Sequence, residues 1–291
     1  MKFSIVTPSF NQGEFIERTI ESVLSQQIPD LEYWIMDGKS SDETLQILNK
    51  YRGRVQWISA KDAGQADAVN QGILRATGEI VGWLNSDDVY YPGALHSVLD
   101  FFALHPEVQV LYGDADHIDE NDQYIGPYPT KEWDYSRLQE TCYICQPAVF
   151  FRRDFLQTQG LLDTTLNYCM DYEYWLRIGK TIAMHHLPQK LAGSRLHPAT
   201  KTLGDRRKVH EEILDMVCAK TGKFSVRWAA NLGYAIALDK SLKWGSMEQD
   251  WRILKTIFLT IWEEKRRRRQ KIDIRELQYV RSWLKSIWRK F

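Results

Sequence analysis

Apolar runs and helical patterns alternate along the first 90 or so residues of the chain. Four strands are predicted by the runs FSIVTPSF, LEYWIMDG, VQWISA and EIVGWLN. The intervening segments GEFIERTIESVLSQQ, SSDETLQILNKY and GQADAVNQGILRA predict helices, the first with apolar residues at the 3.6-residue period. Because strands and helices alternate, we expect a parallel sheet with right-handed crossovers and helices on both faces.

The second half of the chain has a less regular pattern. Further strands are predicted by VQVLYGDADHID, QPAVFF and IAMHHLP, and a short helix by MDYEYWLRIGK. The segment DRRKVHEEILDMVCAKTG predicts a long helix, after which long helical patterns rich in Trp and basic residues follow. We therefore predict a catalytic body over residues 1–222 and a helical, basic extension over residues 223–291.

Polar residues follow each of the four N-terminal strands. Ligands of open α/β sheets bind beyond the carboxyl ends of the strands, so these loops are expected at one rim of the sheet. Together they predict a binding site. The loops are Thr7–Asn11, Asp37–Ser41, Lys61–Gln65 and Asn85–Asp88.

The loop Asn85-Ser86-Asp87-Asp88 places two carboxylates side by side at the end of an apolar strand. Adjacent carboxylates repel each other, and burial of their charge is costly. A divalent cation that also binds a phosphate ligand compensates such charges, because Mg²⁺ and Mn²⁺ prefer carboxylate oxygens. A solvated turn, in which Asp and Asn are favoured, explains the same four residues equally well.

Four segments give the chain a resemblance to a known family. VTPSFNQGEFIERTIESVLSQ, IMDGKSSDET, KDAGQADAVNQGILRATGEIVGWLNSDD and MDYEYWLRIG occur in the order and spacing typical of family 2 glycosyltransferases, over residues 3 to about 200. That family is inverting, uses nucleotide-sugar donors and has the GT-A fold. The resemblance implies an α/β protein with a Rossmann-type mixed, mostly parallel sheet flanked by helices, followed here by the helical extension.

The resemblance also implies which residues bind the donor. Asp37 takes the position of the acid that reads the base or ribose, with Lys39 as a departure from the family pattern. Asp62 is expected to contact the nucleoside, whereas Asp67 either binds the ligand or organises neighbouring loops. The whole predicted nucleotide-sugar set is Pro8, Phe10, Asn11, Asp37, Lys61, Asp62, Gln65, Asp67, Asn85 and Ser86.

For the metal, the DxD-type motif of the family falls on Asn85-Ser86-Asp87. Asp87 is the implied ligand of Mn²⁺ or Mg²⁺, while Asn85 stands where the first Asp is usual. Asp88 either helps to bind the metal or fixes the loop. His197 is expected at the metal or diphosphate, although a structural role is as consistent with its sequence, and Arg195 is a candidate phosphate clamp.

The resemblance places the general base at Asp171, the acid that removes the acceptor proton in inverting members. A positioned carboxylate typically contributes about 10²–10⁴-fold to the rate. Glu173 is the rival base, although it faces away from Asp171 two residues along a helix. Gln146 is a candidate on the acceptor side.

Charge is distributed unevenly although the net charge is zero. Residues 265–291 contain 11 Lys or Arg and 2 Asp or Glu residues. The preceding 264 residues therefore contain 27 Lys or Arg and 36 Asp or Glu residues, so the body is acidic and the tail is basic. Apolar residues recur at helical spacing on both sides of the basic run. This pattern predicts either binding to an anionic membrane surface or packing on the acidic body. The two apolar sets are Trp251, Leu254, Phe258 and Ile261, and Leu277, Val280, Leu284 and Ile287.

These features together predict a cytoplasmic enzyme, peripheral at the inner face of the cell membrane if the tail binds lipid. No signal peptide and no stretch of about 20 apolar residues is present in the sequence. The predicted reaction moves a sugar from a UDP-sugar or related donor to a glycan or lipid-linked acceptor. The rival functions are a nucleotide- or glycan-binding scaffold and a sugar nucleotidyltransferase, and nucleic acid is not an expected partner.

Overall fold

The computed structural model of the chain describes residues 1–270, and there it forms one mixed sheet of nine strands. The four predicted N-terminal strands are present, and three of them are mostly buried while the edge strand over residues 56–59 is more exposed. The strands are β1 (Phe3–Ser9), β2 (Glu32–Asp37), β3 (Gln56–Ser59), β4 (Ile80–Trp83), β5 (Val89–Tyr90), β6 (Val110–Ile118), β7 (Tyr124–Pro127), β8 (Val149–Arg152) and β9 (His185–Arg195).

The order of strands in the sheet is β3-β2-β1-β4-β8-β6-β9-β5, with β7 paired to β6. Strands β1 to β4 are mutually parallel where they pair, and β8 is antiparallel to both β4 and β6. Strand β6 is parallel to β9. The carboxyl ends of β1–β4, β6 and β9 therefore lie at one edge of the sheet, which is the edge where the sequence predicts the site.

Helices flank this sheet, as the sequence predicts for an α/β fold. The structure adds helices over residues 94–104 and 153–159 and the short strands β5 and β7, none of which the sequence pattern revealed. A 3₁₀ turn at Gln146–Ala148 precedes β8. The helices are α1 (Ile16–Leu24), α2 (Thr44–Lys50), α3 (Gln65–Arg75), α4 (Ala94–Leu104), α5 (Tyr135–Leu138), α6 (Arg153–Gln159), α7 (Met170–Ile178), α8 (Lys201–Gly204), α9 (Arg206–Thr221), α10 (Val226–Asp239) and α11 (Met247–Arg267).

Helix α3, which carries several predicted ligand residues, lies unusually close to β1. A Cβ atom added to Gly72 would lie 2.2 Å from Cγ1 of Val6. Any larger residue at position 72 would therefore push the helix away from the sheet. Glycine costs a helix about 1 kcal/mol relative to alanine, so its presence here reflects the close packing of α3 on β1.

The chain divides into two compact units. One comprises residues 1–135 and 143–198, and the other residues 136–142 and 199–291. The first unit contains the sheet and the predicted site. It ends at Pro198, earlier in the chain than the predicted boundary at residue 222.

In the second unit, α11 packs against α10 through a stripe that differs from the predicted one. The stripe comprises Ile253, Ile257 and Ile261, and a Cβ atom on Gly233 of α10 would lie 2.7 Å from Cα of Ile257. The predicted apolar set contributes only Ile261 to this buried face. The other three members are exposed or half-buried, and Leu277, Val280, Leu284 and Ile287 lie outside the described residues. Within residues 1–270, no helix combines the length and apolar character needed to span a membrane.

Candidate active site

Hydrogen bonds join the loops at the carboxyl edge of the sheet to one another. Asn11 Oδ1 accepts a hydrogen bond from the Ser41 N–H at 2.9 Å, which connects the loop after β1 to the loop after β2. The Gln65 amide of α3 donates to Asn85 Oδ1, after β4, at 2.8 Å. Across the site, the Arg195 N–H at the end of β9 donates to Asp88 Oδ1 at 2.8 Å. The predicted loops thus form a single rim.

Asp37, at the end of β2, uses its carboxylate inside the protein. It is 2% exposed, and it accepts the Ser40 N–H at 3.0 Å and the hydroxyls of Ser40 and Ser59 at 2.5 Å each. These bonds hold the loops after β2 and β3 together. A base- or ribose-binding role for Asp37 stays a prediction, and it requires a ligand to replace one of these donors or share the oxygens with them.

The loops that follow β1, β2 and β3 approach one another closely at Gly38. A Cβ atom on Gly38 would lie 2.9 Å from Asp62 Oδ2 and 3.3 Å from Phe10 Cδ2. The Phe10 side chain is 61% exposed, which is unusual for an aromatic ring in a rim of short loops. A flat apolar face, a small glycine and a carboxylate therefore lie together, and planar ring ligands with N–H donors suit such a combination.

The remaining predicted residues of these loops have different environments. Pro8 is buried within β1, whereas Asn11 and Lys61 are exposed. Asp67 is half-buried and its Oδ2 accepts the Ala63 N–H at 3.1 Å, so it organises the loop before α3. That contact corresponds to the predicted role of Asp67 in organising neighbouring loops, while ligand binding by Asp67 stays a prediction. Lys39 has a positive φ of 67°, which is uncommon for a residue with a side chain.

The loop after β4 contains the predicted metal motif. The Asn85 amide contacts α3, Trp83, Asp88 and Gln146 by hydrogen bonds. Ser86 is buried, and its carbonyl accepts the Thr19 hydroxyl of α1 at 2.9 Å. The motif is thus fastened to α1, α3 and the 3₁₀ turn that contains Gln146.

Asp88 is buried and bonded on both carboxylate oxygens. Oδ1 accepts the Arg195 N–H at 2.8 Å, and Oδ2 accepts the Asn85 amide at 3.2 Å. Burial, with the neighbouring Asp87 carboxylate, raises the pKa of Asp88 well above its usual range. These contacts give Asp88 a loop-fixing role, while metal binding by Asp88 stays a prediction.

Asp87 and His197 meet at the rim, although 110 positions separate them in the sequence. Asp87 Oδ2 lies 3.2 Å from His197 Nε2, and the Asp87 side chain remains 22% exposed. The His197 ring is buried against Phe15, with 4.5 Å between the ring centroids. This pair brings one carboxylate and one imidazole together, and the carboxylate is the more exposed of the two.

The pair fits a Mn²⁺ or Mg²⁺ ion that is shared with a phosphate ligand. Such ions are typically held by one or two protein side chains plus substrate phosphates and water. In residues 1–270 no group of three or more His, Cys, Asp or Glu side chains could hold a metal by itself. A metal at Asp87 and His197 would therefore depend on the ligand to complete its coordination.

Arg195 lies beside this pair, but its guanidinium binds protein groups. Nε donates to the Asp87 carbonyl at 2.6 Å and Nη1 to the Asp119 carbonyl at 2.8 Å. Nη2 is 2.5 Å from Asp122 Oδ1, and the group lies over the Phe15 ring at 5.2 Å. Because the side chain is fully buried, Arg195 fastens the loops after β4 and β6 to β9. Its role as a phosphate clamp stays a prediction.

The two candidate bases occupy different environments on α7. Asp171 is half-buried in the first turn, where its Oδ1 accepts the Tyr172 N–H at 2.7 Å. Glu173 is completely buried and pairs with Arg177 at 3.0 and 3.1 Å. The Arg177 guanidinium also donates to the carbonyls of Gln159 and Leu161, so the pair holds the segment before α7. Asp171 is thus the more accessible of the two acids.

Several residues that shape the site gave no sequence signal. Ser59, Trp83, Phe15 and Arg177 act through contacts between distant segments, which a local pattern does not contain. Ser40 is the exception, because an Asp followed three residues later by a Ser is compatible with an Asx-type turn. The 3.0 Å bond between the Ser40 N–H and Asp37 is such a contact.

Comparisons with known proteins identify the family of the chain. The family model described as "Glycosyl transferase family 2" matches residues 4–160. An uncharacterised glycosyltransferase of Rickettsia prowazekii (strain Madrid E) is 26% identical over 212 residues, which is 68% of this chain and 65% of that protein. Chondroitin synthase of Escherichia coli is 28% identical over 258 residues, which is 85% of this chain and 37% of the synthase. The chain thus spans less than two thirds of the length of these relatives.

Solved structures show the same fold. TarS residues 1–349 of S. aureus, in complex with UDP-GlcNAc, gives a TM-score of 0.62 at 18% identity over 90% of this chain and 82% of that one. The mannosyltransferase PcManGT of Pyrobaculum calidifontis, in complex with GDP-Man and Mn²⁺, gives a TM-score of 0.55 at 14% sequence identity. That match covers 97% of this chain and 79% of the PcManGT chain. The predicted GT-A-type α/β fold is confirmed.

Proposed function

The chain belongs to glycosyl transferase family 2, and on that basis we propose that it is an inverting glycosyltransferase. It moves a sugar from a nucleoside diphosphate donor, most favourably a UDP-sugar, to an acceptor hydroxyl of a glycan or lipid-linked sugar. The related chondroitin synthase and the fold neighbour bound to UDP-GlcNAc support this donor class. The product belongs to bacterial surface polysaccharide or glycolipid synthesis.

The single observation that carries the proposal is the Asp87–His197 pair at the rim, 3.2 Å apart. A carboxylate and an imidazole this close together would suit a divalent cation that also binds a phosphate ligand. The exposed Phe10 ring, with Gly38 and Asp62 beside it, is the proposed contact surface for the base along the same edge. Donor binding is thus assigned to loops that follow β1 to β4 and β9.

The proposed reaction is a single displacement. The acceptor oxygen forms a bond to the anomeric carbon while the bond from that carbon to the diphosphate oxygen breaks, and the electron pair leaves with the nucleoside diphosphate. Asp171 takes the acceptor proton as general base. Asp87 and His197 would hold a divalent cation, which would neutralise the charge of the leaving diphosphate as a Lewis acid. Attack opposite the leaving group inverts the anomeric configuration.

Nucleotide binding gives the first test of this function. We expect one of UDP, GDP and dTDP to raise the melting temperature of the protein in the presence of Mn²⁺, and little or not at all with EDTA. A ligand at 100 times its dissociation constant adds about 2.7 kcal/mol to the free energy of unfolding, which is readily measured. UDP is expected to give the largest shift.

Two results would contradict the proposal in different ways. If none of the three nucleotides shifts the melting temperature, with or without Mn²⁺, the donor class is wrong. If a nucleotide binds but the protein never releases nucleoside diphosphate from its sugar nucleotide in the presence of oligosaccharide or glycolipid acceptors, a binding scaffold is favoured. Release of pyrophosphate from a nucleoside triphosphate and a sugar phosphate would instead indicate a nucleotidyltransferase.

A peripheral membrane location is the second part of the proposal, and α11 supports it. Trp251, Phe258 and Trp262 are 68%, 41% and 48% exposed, and their spacing of seven and four residues places them along one face of the helix. Lys255 is exposed on the same side, and the Arg266 guanidinium lies 5.5 Å from the Trp262 ring centroid. Exposed aromatic rings beside cations suit an anionic membrane surface at the cytoplasmic side.

We expect the protein to co-sediment with vesicles of phosphatidylglycerol and phosphatidylcholine, and to bind pure phosphatidylcholine much more weakly. The variant Trp251→Ala/Phe258→Ala/Trp262→Ala is expected to lose most of this binding. Leu104→Ala removes an equally exposed apolar side chain from α4 and serves as the matched control. Three results would argue against a membrane surface. These are binding of the wild type to neither kind of vesicle, equal binding of the wild type to both kinds, and a wild-type dimer that the triple variant does not form.

A further inference from the structure

The Asn85 side chain has a hydrogen-bond partner in every available position. Its Oδ1 accepts the Gln65 Nε2–H at 2.8 Å and the Trp83 Nε1–H at 2.9 Å. Its Nδ2 donates to Asp88 Oδ2 at 3.2 Å and to Gln146 Oε1 at 2.9 Å. A side-chain amide offers two donors and two lone pairs, so this amide is completely used.

The chemistry of the partners fixes the orientation of this amide. The indole N–H of Trp83 can only donate, so Oδ1 of Asn85 faces Trp83 and Nδ2 faces Asp88 and Gln146. Gln146 is oriented in turn, because its Nε2 donates to the Trp83 carbonyl at 2.6 Å. Its Oε1 is thereby left facing Asn85. The opposite orientation of the Asn85 amide would place donors against donors and acceptors against acceptors.

We infer that Asn85 is a positioning residue for the loop that carries Asp87, and that it does not bind the cation. No lone pair of its oxygen remains for a metal. Its four bonds instead join the loop after β4 to α3 and to the 3₁₀ turn at Gln146–Ala148. This inference rests on the proposed metal role of Asp87, and it explains why asparagine occupies the position.

The inference and its alternative predict opposite effects for Asn85→Asp. If Asn85 is a metal ligand, a carboxylate should bind Mn²⁺ more tightly than the amide does. If Asn85 positions the loop, the new oxygen replaces a donor and faces two acceptors, Asp88 Oδ2 and Gln146 Oε1. The loop then shifts and Asp87 moves with it. Loss of an outer contact of a metal site typically costs 10–100-fold in metal affinity.

The experiment compares the wild type, Asn85→Asp, Asp88→Asn and the double variant Asn85→Asp/Asp88→Asn. Binding of Mn²⁺ is followed by electron paramagnetic resonance of the free ion, with and without UDP, well below the melting temperature of the least stable variant. We expect Asn85→Asp to weaken Mn²⁺ binding by about 10–100-fold. The double variant exchanges carboxylate and amide, restores a donor–acceptor pair between the two positions and is expected to regain much of the affinity.

Two results would overturn the inference. These are tighter Mn²⁺ binding by Asn85→Asp than by the wild type, and an unchanged Mn²⁺ affinity and melting temperature in that variant. General destabilisation by Asn85→Asp would not be reversed by adding Asp88→Asn. A recovery of Mn²⁺ affinity in the double variant therefore supports the hydrogen-bond network specifically. If the wild type itself does not bind Mn²⁺, the proposed metal site fails. The melting temperatures without Mn²⁺ then still test the hydrogen-bond network, since Asn85→Asp should melt lowest and the double variant higher.

Discussion

Replacement of Asp171 by Asn is expected to lower kcat by about 10²–10⁴-fold, the range that a positioned general base contributes. The amide keeps the size and the hydrogen-bonding oxygen of the carboxylate, but it cannot take the acceptor proton. Donor binding does not involve this residue in the proposed mechanism. The nucleotide-dependent rise in melting temperature should therefore be the same in Asp171→Asn and the wild type, while single-turnover sugar transfer is slow.

Glu173→Gln is the matched variant on the same helix. The Glu173 carboxylate is completely buried against Arg177, and removing its charge leaves the half-buried Arg177 guanidinium without its counter-charge. Breaking a buried ion pair typically costs about 3–5 kcal/mol, although the Gln amide keeps part of the hydrogen bonding. Glu173→Gln should thus act chiefly on the melting temperature. If it loses kcat at an unchanged melting temperature while Asp171→Asn stays active, Glu173 is the base.

The N-terminal half of the fold was predictable because its signals are local. Strands β1 to β4 are apolar runs followed by polar loops, and α1 buries Ile16, Ile20 and Val23 at the helical period. In contrast, β5 has only two residues and exists because it pairs with β9, more than 100 positions later. In α11, apolar residues occur on more than one side of the helix, so the sequence alone does not tell which side packs against another helix. Only packing against α10 selects Ile253, Ile257 and Ile261.

The site shows the same division between local and non-local information. The resemblance identified Asp87 and His197 separately, and the structure brings them to 3.2 Å from each other. The sequence contained no sign that Ser59 donates to the Asp37 carboxylate, or that Arg195 is buried against Phe15. These partners are set by how strands and loops meet in space. The role of a polar residue therefore depends on contacts that its sequence neighbours do not reveal.

Asp87→Ala is expected to remove the Mn²⁺-dependent part of nucleotide binding and to lower kcat/KM by about 10³-fold or more. A catalytic cation supplies several kcal/mol of charge stabilisation in the transition state, and each 1.4 kcal/mol corresponds to a tenfold change in rate. Asp87 is one of the two side chains that offer donor atoms for the cation, so its loss leaves only His197. The measurements are nucleotide-induced melting shifts with and without Mn²⁺, followed by initial rates of sugar transfer.

The stability of the unliganded variant separates loss of the site from unfolding. In the wild type, burial raises the pKa of Asp88, and the neighbouring Asp87 charge raises it further through repulsion between the two carboxylates. Removing Asp87 relieves that repulsion and loses only the contact with His197, so Asp87→Ala should melt at or above the wild-type temperature in EDTA. Asp154→Ala, at an exposed acid on α6, is the charge-matched control. If Asp87→Ala keeps the Mn²⁺-dependent shift, the cation is not bound at this loop and the proposed metal site is wrong.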